Sequence, residues 1–210
     1  MNRMPPWLLV AVVAFLVLPV RVAFAQHADA ERYVPETDPL VLANLEHWQD
    51  VKFGLLMHWG PYSQWGIVES WSICAEDEGW CARPDESYLE YKRRYEGLQR
   101  TFNPTGFDPD RWARAARAAG MRYVVFTTKH HDGFCMFDTR STNYKITSPN
   151  TPFHASARAD VTREVFDAFR REKMWVGAYF SKPDWHSELY WWPRFATPDR
   201  NVNYDPAAHP

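Results

Sequence analysis

A chain of 210 residues with 46% hydrophobic residues has enough apolar surface for the core of one domain, which excludes an intrinsically disordered protein. Its formal net charge of −2 gives no reason to expect nucleic acid or an anionic surface as partner. Aromatic residues make up 16%, with 11 Trp. That is more than a small interior needs, and clefts that stack aromatic rings on the apolar face of a sugar are one common use for such an excess.

Residues 1–25 read as a secretory signal. Arg3 gives a positive start, residues 7–20 form an apolar run, and Ala23-Phe24-Ala25 is a small-x-small cleavage pattern. The run is shorter than the roughly 20 residues a membrane span needs. Cleavage after Ala25 is therefore expected, giving a secreted or periplasmic protein with no membrane anchor. Loss of Arg3 and Arg21 leaves 22 basic against 26 acidic residues, a net of −4. In an oxidising compartment Cys74 and Cys81 can close a loop, with Cys135 left buried.

After a polar entry segment, residues 40–49 carry Leu42, Leu45 and Trp48 at helical spacing. Residues 52–57 form a first strand that ends in His58, Trp59, Gly60 and Pro61. Residues 64–84 are a long Trp-rich loop, too long to be a plain connection. Residues 85–99 read as a helix with Tyr88, Tyr91, Tyr95 and Leu98 on a packing face, and Glu90, Lys92, Arg93 and Arg94 outside. A further helix covers residues 111–119, with Asp108 as N-cap, Pro109 at its first position and Gly120 at its close.

That helix feeds the central strand, Tyr123-Val124-Val125-Phe126-Thr127, an unbroken apolar and β-branched run of the kind buried on both faces of a parallel sheet. It turns abruptly polar at Lys129, His130, His131 and Asp132, and Gly133 lets the chain leave. Residues 141–158 are irregular. Asp160 caps a helix over residues 161–173 with Val165, Phe166 and Phe169 inward, and a third strand, residues 175–180, ends in Ser181, Lys182, Asp184, Trp185 and His186.

Strands alternating with helices, each strand ending in polar groups, predict an α/β fold with a parallel sheet. The connections suit a (β/α)8 TIM-type barrel, which needs about 250 residues. Only the first three or so β/α units are expected here. Ligands in such folds lie at the carboxyl ends of the strands, so the histidines there are candidate site residues. The alternative at this point is that two histidines and an aspartate merely cap a strand.

Four stretches resemble the family 29 glycoside hydrolases, the α-L-fucosidases. They are K-F-G-x-x-x-H-W-G (52–60), F-N-P-x-x-F-D-x-x-x-W-A (102–113), F-T-x-K-H-H-D-G-F (126–134) and G-x-Y-x-S-x-x-D-W (177–185). The resemblance implies that residues 26–210 are the amino-terminal portion of a glycoside hydrolase catalytic barrel acting on terminal fucosyl groups of glycans, with no cofactor and no metal. It places His58, His130, His131 and Tyr179 against the fucose hydroxyls and Trp71 beside the sugar. Neutral imidazoles suit hydroxyls because each can donate at one nitrogen and accept at the other. The family often has Glu directly before that Trp; here Ser70 stands there and Glu69 one residue earlier, so Glu69 is either a substrate contact or a solvated loop carboxylate.

The resemblance also implies a retaining double displacement by two carboxyl groups about 5 to 5.5 Å apart. The family's nucleophile ends a fourth strand and its acid/base comes later, so both are expected beyond Pro210 and none of the catalytic carboxylates in this chain. Asp184 belongs to the third-strand motif, and Asp132 is expected to orient the imidazoles. Two other readings use the same residues: a non-catalytic fucose-binding protein or truncated pseudoenzyme, and a metal-dependent hydrolase with His58, His130 and His131 as ligands. Adjacent strand residues face opposite ways, so the metal reading requires a bend at Lys129.

Overall fold

The computed structural model describes residues 34–74 and 88–187. The signal segment, Cys81 of the expected bridge, Trp80 and the segment after Ser187 lie outside the described residues. The chain divides into two compact units, residues 1–45 and 46–210. In the first, the described part is a non-helical stretch and the opening turns of helix α1 (Pro39–Val51), where the Asp38 carboxylate accepts from the Leu40 N–H at 2.8 Å. Leu42, Leu45 and Trp48, the expected apolar face of α1, are exposed. No helix among the described residues is long and apolar enough to cross a membrane.

The second unit is built on a three-stranded parallel sheet in the order β1 (Gly54–Met57), β2 (Tyr123–Lys129), β3 (Trp175–Phe180). Helix α2 (Tyr88–Gly97) continues into a 3-10 turn, Leu98–Thr101, and helices α3 (Pro109–Ala118) and α4 (Val161–Arg171) form the crossovers to β2 and β3. The parallel α/β alternation is thus as the sequence predicts. The caps are too: Asp108 accepts from the Arg111 N–H at 3.0 Å and Asp160 from the Arg163 N–H at 3.1 Å. On α4, Val161, Val165, Ala168 and Phe169 recur at helical spacing and are all buried. They pack into one core with Val124 and Phe126 of β2 and with Phe134, Met136 and Ile146 of the loop after it. Each such large side chain contributes about 2 kcal/mol by leaving water.

Three local expectations are corrected. Strand β1 begins at Gly54 rather than residue 52, because Lys52 lies in the left-handed region at φ 50°. Gly54 then sits opposite Tyr123, whose ring occupies the space a Cβ would need. Strand β2 runs two residues further than expected, to Lys129. Lys92, expected outside α2, is 1% exposed, its ammonium paired with Glu96 one turn on. The tyrosine face of α2 does pack as expected, Tyr91 and Tyr95 joining Tyr62, Ile73 and Leu98 in a second cluster.

Candidate active site

All three strands end on the same side of the sheet, and each delivers an aromatic polar group there. His58 follows β1, His130 and His131 follow β2, and Tyr179 is the penultimate residue of β3. The ring centroids of His58 lie 5.4 Å from His130 and 5.0 Å from Tyr179, and Tyr179 stacks on His130 at 5.7 Å and 15°. The sheet register slips between Thr127 and Lys129. Beyond that slip the two histidines lie side by side, centroids 4.3 Å apart, instead of on opposite faces. The bend at Lys129 is therefore present.

The loop after β1 closes the site from above. Glu69 sits at φ 49°, a left-handed backbone that a non-glycine residue adopts only at a cost. That turn aims its carboxylate at the histidines, 3.7 Å from His58 Nδ1 and 3.5 Å from His130 Nε2, while the Trp71 indole N–H donates to it at 2.9 Å. The Trp71 ring stands edge-on to His131 at 4.6 Å. The structure thus brings all six sequence-derived residues together: His58, Glu69, Trp71, His130, His131 and Tyr179. Glu69, its side chain 26% exposed, lies against both imidazoles and the Trp71 indole.

Sequence reasoning missed the groups that hold the rings. The buried Ser70 hydroxyl meets His130 Nδ1 at 2.5 Å, and the Ser181 hydroxyl is hydrogen-bonded to His131 Nδ1. Asp132 does not orient an imidazole. Buried in full, it accepts from the Tyr95 hydroxyl at 2.8 Å and from the Phe134 N–H at 3.2 Å, so it ties the loop to α2. Asp184 takes Lys129 Nζ at 3.0 Å and the backbone N–H groups of His186 and Ser187, which makes it a strut between β2 and the chain after β3. Trp185 lies 5.0 Å from His131 and extends the aromatic wall. The only sequence signal for Ser70 was its departure from a Glu-Trp pair; Ser181 was visible as the first polar residue past β3.

Burial sets the protonation of the site. It lowers the pKa of His130 to about 3, with His131, His58 and Lys129 adding to the effect, and that of His131 to about 4, with Lys129 and His58 adding. Both rings are neutral at pH 7 and available as hydrogen-bond partners for neutral hydroxyls. Burial raises Asp132 to about 6 despite its two hydrogen bonds, and Cys135, free and buried, to about 12. As a set of donor atoms, His58, Glu69 and His130 each offer one within 4.8 Å of the others. The metal reading named His131 where the geometry has Glu69.

The chain matches the family model described as alpha-L-fucosidase over residues 20–210. The tissue alpha-L-fucosidase of Bos taurus is 31% identical over 173 residues, 77% of this chain and 34% of that protein. The chain spans about a third of the length of the curated relatives it matches. Among solved structures, alpha-L-fucosidase isoenzyme 1 from Paenibacillus thiaminolyticus is 38% identical at a TM-score of 0.57, over 75% of this chain and 33% of that one. An alpha-L-fucosidase from Lactobacillus casei, solved with its alpha-L-fucose product, is 30% identical at a TM-score of 0.53, over 69% and 42%.

Proposed function

The chain belongs to the alpha-L-fucosidase family, and on that premise we propose that the pocket at the strand ends is the fucose subsite of an exported, retaining α-L-fucosidase. The observation that carries this is the convergence of three imidazoles, a carboxylate, a phenol and an indole on one small polar floor with aromatic walls. A pyranose rich in hydroxyls needs partners that donate and accept at short range, together with a ring on which its apolar face can rest. His58, His130, His131, Glu69 and Tyr179 supply the first, Trp71 and Trp185 the second. The rings' neutrality supports a neutral ligand over an anionic one.

In this reading the subsite positions the sugar and does not itself break the bond. The nucleophile and the acid/base are assigned to sequence beyond Pro210, on later strands of a completed (β/α)8 barrel. This fits a chain that spans about a third of its relatives' length and whose site carboxylates are engaged otherwise, Asp132 with Tyr95 and Asp184 with Lys129. Hydrolysis would run by double displacement, a carboxylate attacking the anomeric carbon and a second carboxyl protonating the departing oxygen. A solved alpha-L-fucosidase from Bacteroides thetaiotaomicron, 27% identical, was trapped as a covalent intermediate, which supports that route.

The test is hydrolysis of 4-nitrophenyl α-L-fucopyranoside by two proteins: the 210-residue chain, and the same chain extended by the downstream open reading frame. Turnover by the extended protein alone is expected. Equal turnover by the 210-residue chain would refute the placement of the nucleophile, and inactivity of both would favour a fucose-binding protein without catalysis.

A further inference from the structure

We infer that Ser70 and Ser181 hold His130 and His131 in opposite tautomers, so that the pocket offers one N–H donor and one bare nitrogen acceptor side by side. The hydroxyl of Ser181 has a single proton, and it donates that proton to the Pro183 carbonyl at 3.0 Å. Toward His131 Nδ1 it presents only lone pairs, so the ring donates: Nδ1 carries the hydrogen and Nε2 is bare. Among the described residues no side chain or backbone group hydrogen-bonds that Nε2, which leaves it for a ligand.

His130 is held the other way. Its Nε2 lies 3.5 Å from a Glu69 oxygen that already accepts the Trp71 indole N–H. A carboxylate only accepts, so a bare nitrogen facing it would set lone pair against lone pair; the proton belongs on Nε2. Nδ1 is then the acceptor and receives the Ser70 hydroxyl at 2.5 Å. Ser70 is fully buried, so this hydroxyl has no water competing for it. With ring centroids 4.3 Å apart, the pair matches two neighbouring hydroxyls of a polyol. One accepts from the His130 Nε2–H and donates a hydrogen bond to the Glu69 carboxylate; the next must donate to His131 Nε2.

The ligand class, a sugar with an obligate donor hydroxyl at one position, rests on the subsite reading; the tautomers themselves do not. The test is long-range ¹H–¹⁵N correlation of the imidazoles in the protein at pH 7. Expected are a protonated Nδ1 and bare Nε2 for His131, and the reverse for His130. In Ser181→Ala the His131 pattern becomes a mixture, Ser181→Thr restores it, and an unchanged His130 pattern reports that the fold persists. Two rings in the same tautomer, or a His131 pattern indifferent to Ser181→Ala, overturns the inference. Should Ser181→Ala fail to fold, the parent spectrum decides alone. A second arm titrates singly fluorinated L-fucoses, since fluorine cannot donate. One position is expected to lose at least tenfold in affinity, a loss that shrinks in Ser181→Ala; equal tolerance at every position, in a protein that binds L-fucose, overturns the pairing. Absence of any L-fucose binding beside the expected spectrum would count against the subsite reading and leave the tautomers standing.

Discussion

Glu69 reaches the pocket through the sign of one backbone angle. At an ordinary negative φ the same side chain would leave the loop in another direction, and neither composition nor motif spacing reports that sign. The strand ends point to His58, His130 and His131 from sequence alone, whereas Tyr179 enters only through the family resemblance and Glu69 only ambiguously, because Ser70 stands where the family often has Glu. Glu69→Gln keeps the shape and removes the charge that Trp71 and His130 face. Hydrogen bonds to charged groups are worth about 1.5 to 3 kcal/mol, so L-fucose affinity should fall by about tenfold or more, read by calorimetric titration. An unchanged affinity would put the carboxylate outside the ligand's reach.

The pKa values of the same residues set the acid response. His130 and His131, lowered to about 3 and 4, stay neutral in the fold while the unfolded chain takes up protons below about 6.5. The unfolded state then binds more protons, so these rings make stability fall as pH drops from 6.5 toward 4. Asp132, raised to about 6, acts oppositely: the folded state holds its proton between about 4 and 6, and that contribution is lost as pH rises. Two rings outweigh one carboxyl. Melting temperature should therefore decline from pH 6.5 to 4, and more steeply in Asp132→Asn, which lacks the opposing group. A variant with a shallower decline would show the assignment of signs to be wrong.

At the scale of elements, local signals were legible and long-range ones were not. The N-caps Asp108 and Asp160 act within three residues, and both form as read. Asp108→Ala should cost about 1 kcal/mol, seen as a lower denaturation midpoint with activity retained in the extended protein. Lys92 is buried where the sequence places it outside, because its burial depends on contacts of other segments: Glu96, its partner, also accepts from His186 Nδ1, 90 residues along the chain. Asp132 was misassigned for the same reason, since Tyr95 reaches it from α2. Gly133 combines both scales. Its φ of 78° favours glycine locally, and a Cβ there would run into the Asp184 carboxylate and lie 2.9 Å from His186 Cβ. Gly133→Ala should destabilise the histidine loop and abolish sugar binding, whereas Gly106→Ala, whose Cβ meets nothing within 4 Å, should do neither.

For the whole molecule, the order of strands and the polar ends of the sheet were readable because alternation and burial pattern survive any detail of packing. Leu56 is 60% exposed and Phe180 57% exposed on strands that each pair with one neighbour among the described residues. Such edges recruit other chains. The 210-residue chain expressed alone is expected to self-associate, with a sedimentation profile that shifts with concentration; a sharp two-state melt of a soluble monomer would contradict this.

The proposed function requires that this pocket hold fucose. The direct measurement is a calorimetric titration of L-fucose into the extended protein at pH 7, repeated with His58→Ala and His131→Ala. Saturable one-site binding in the parent and its loss in both variants, with melting curves that remain cooperative, is the predicted result. No saturable binding in the parent, or equal affinity in all three proteins, would contradict it.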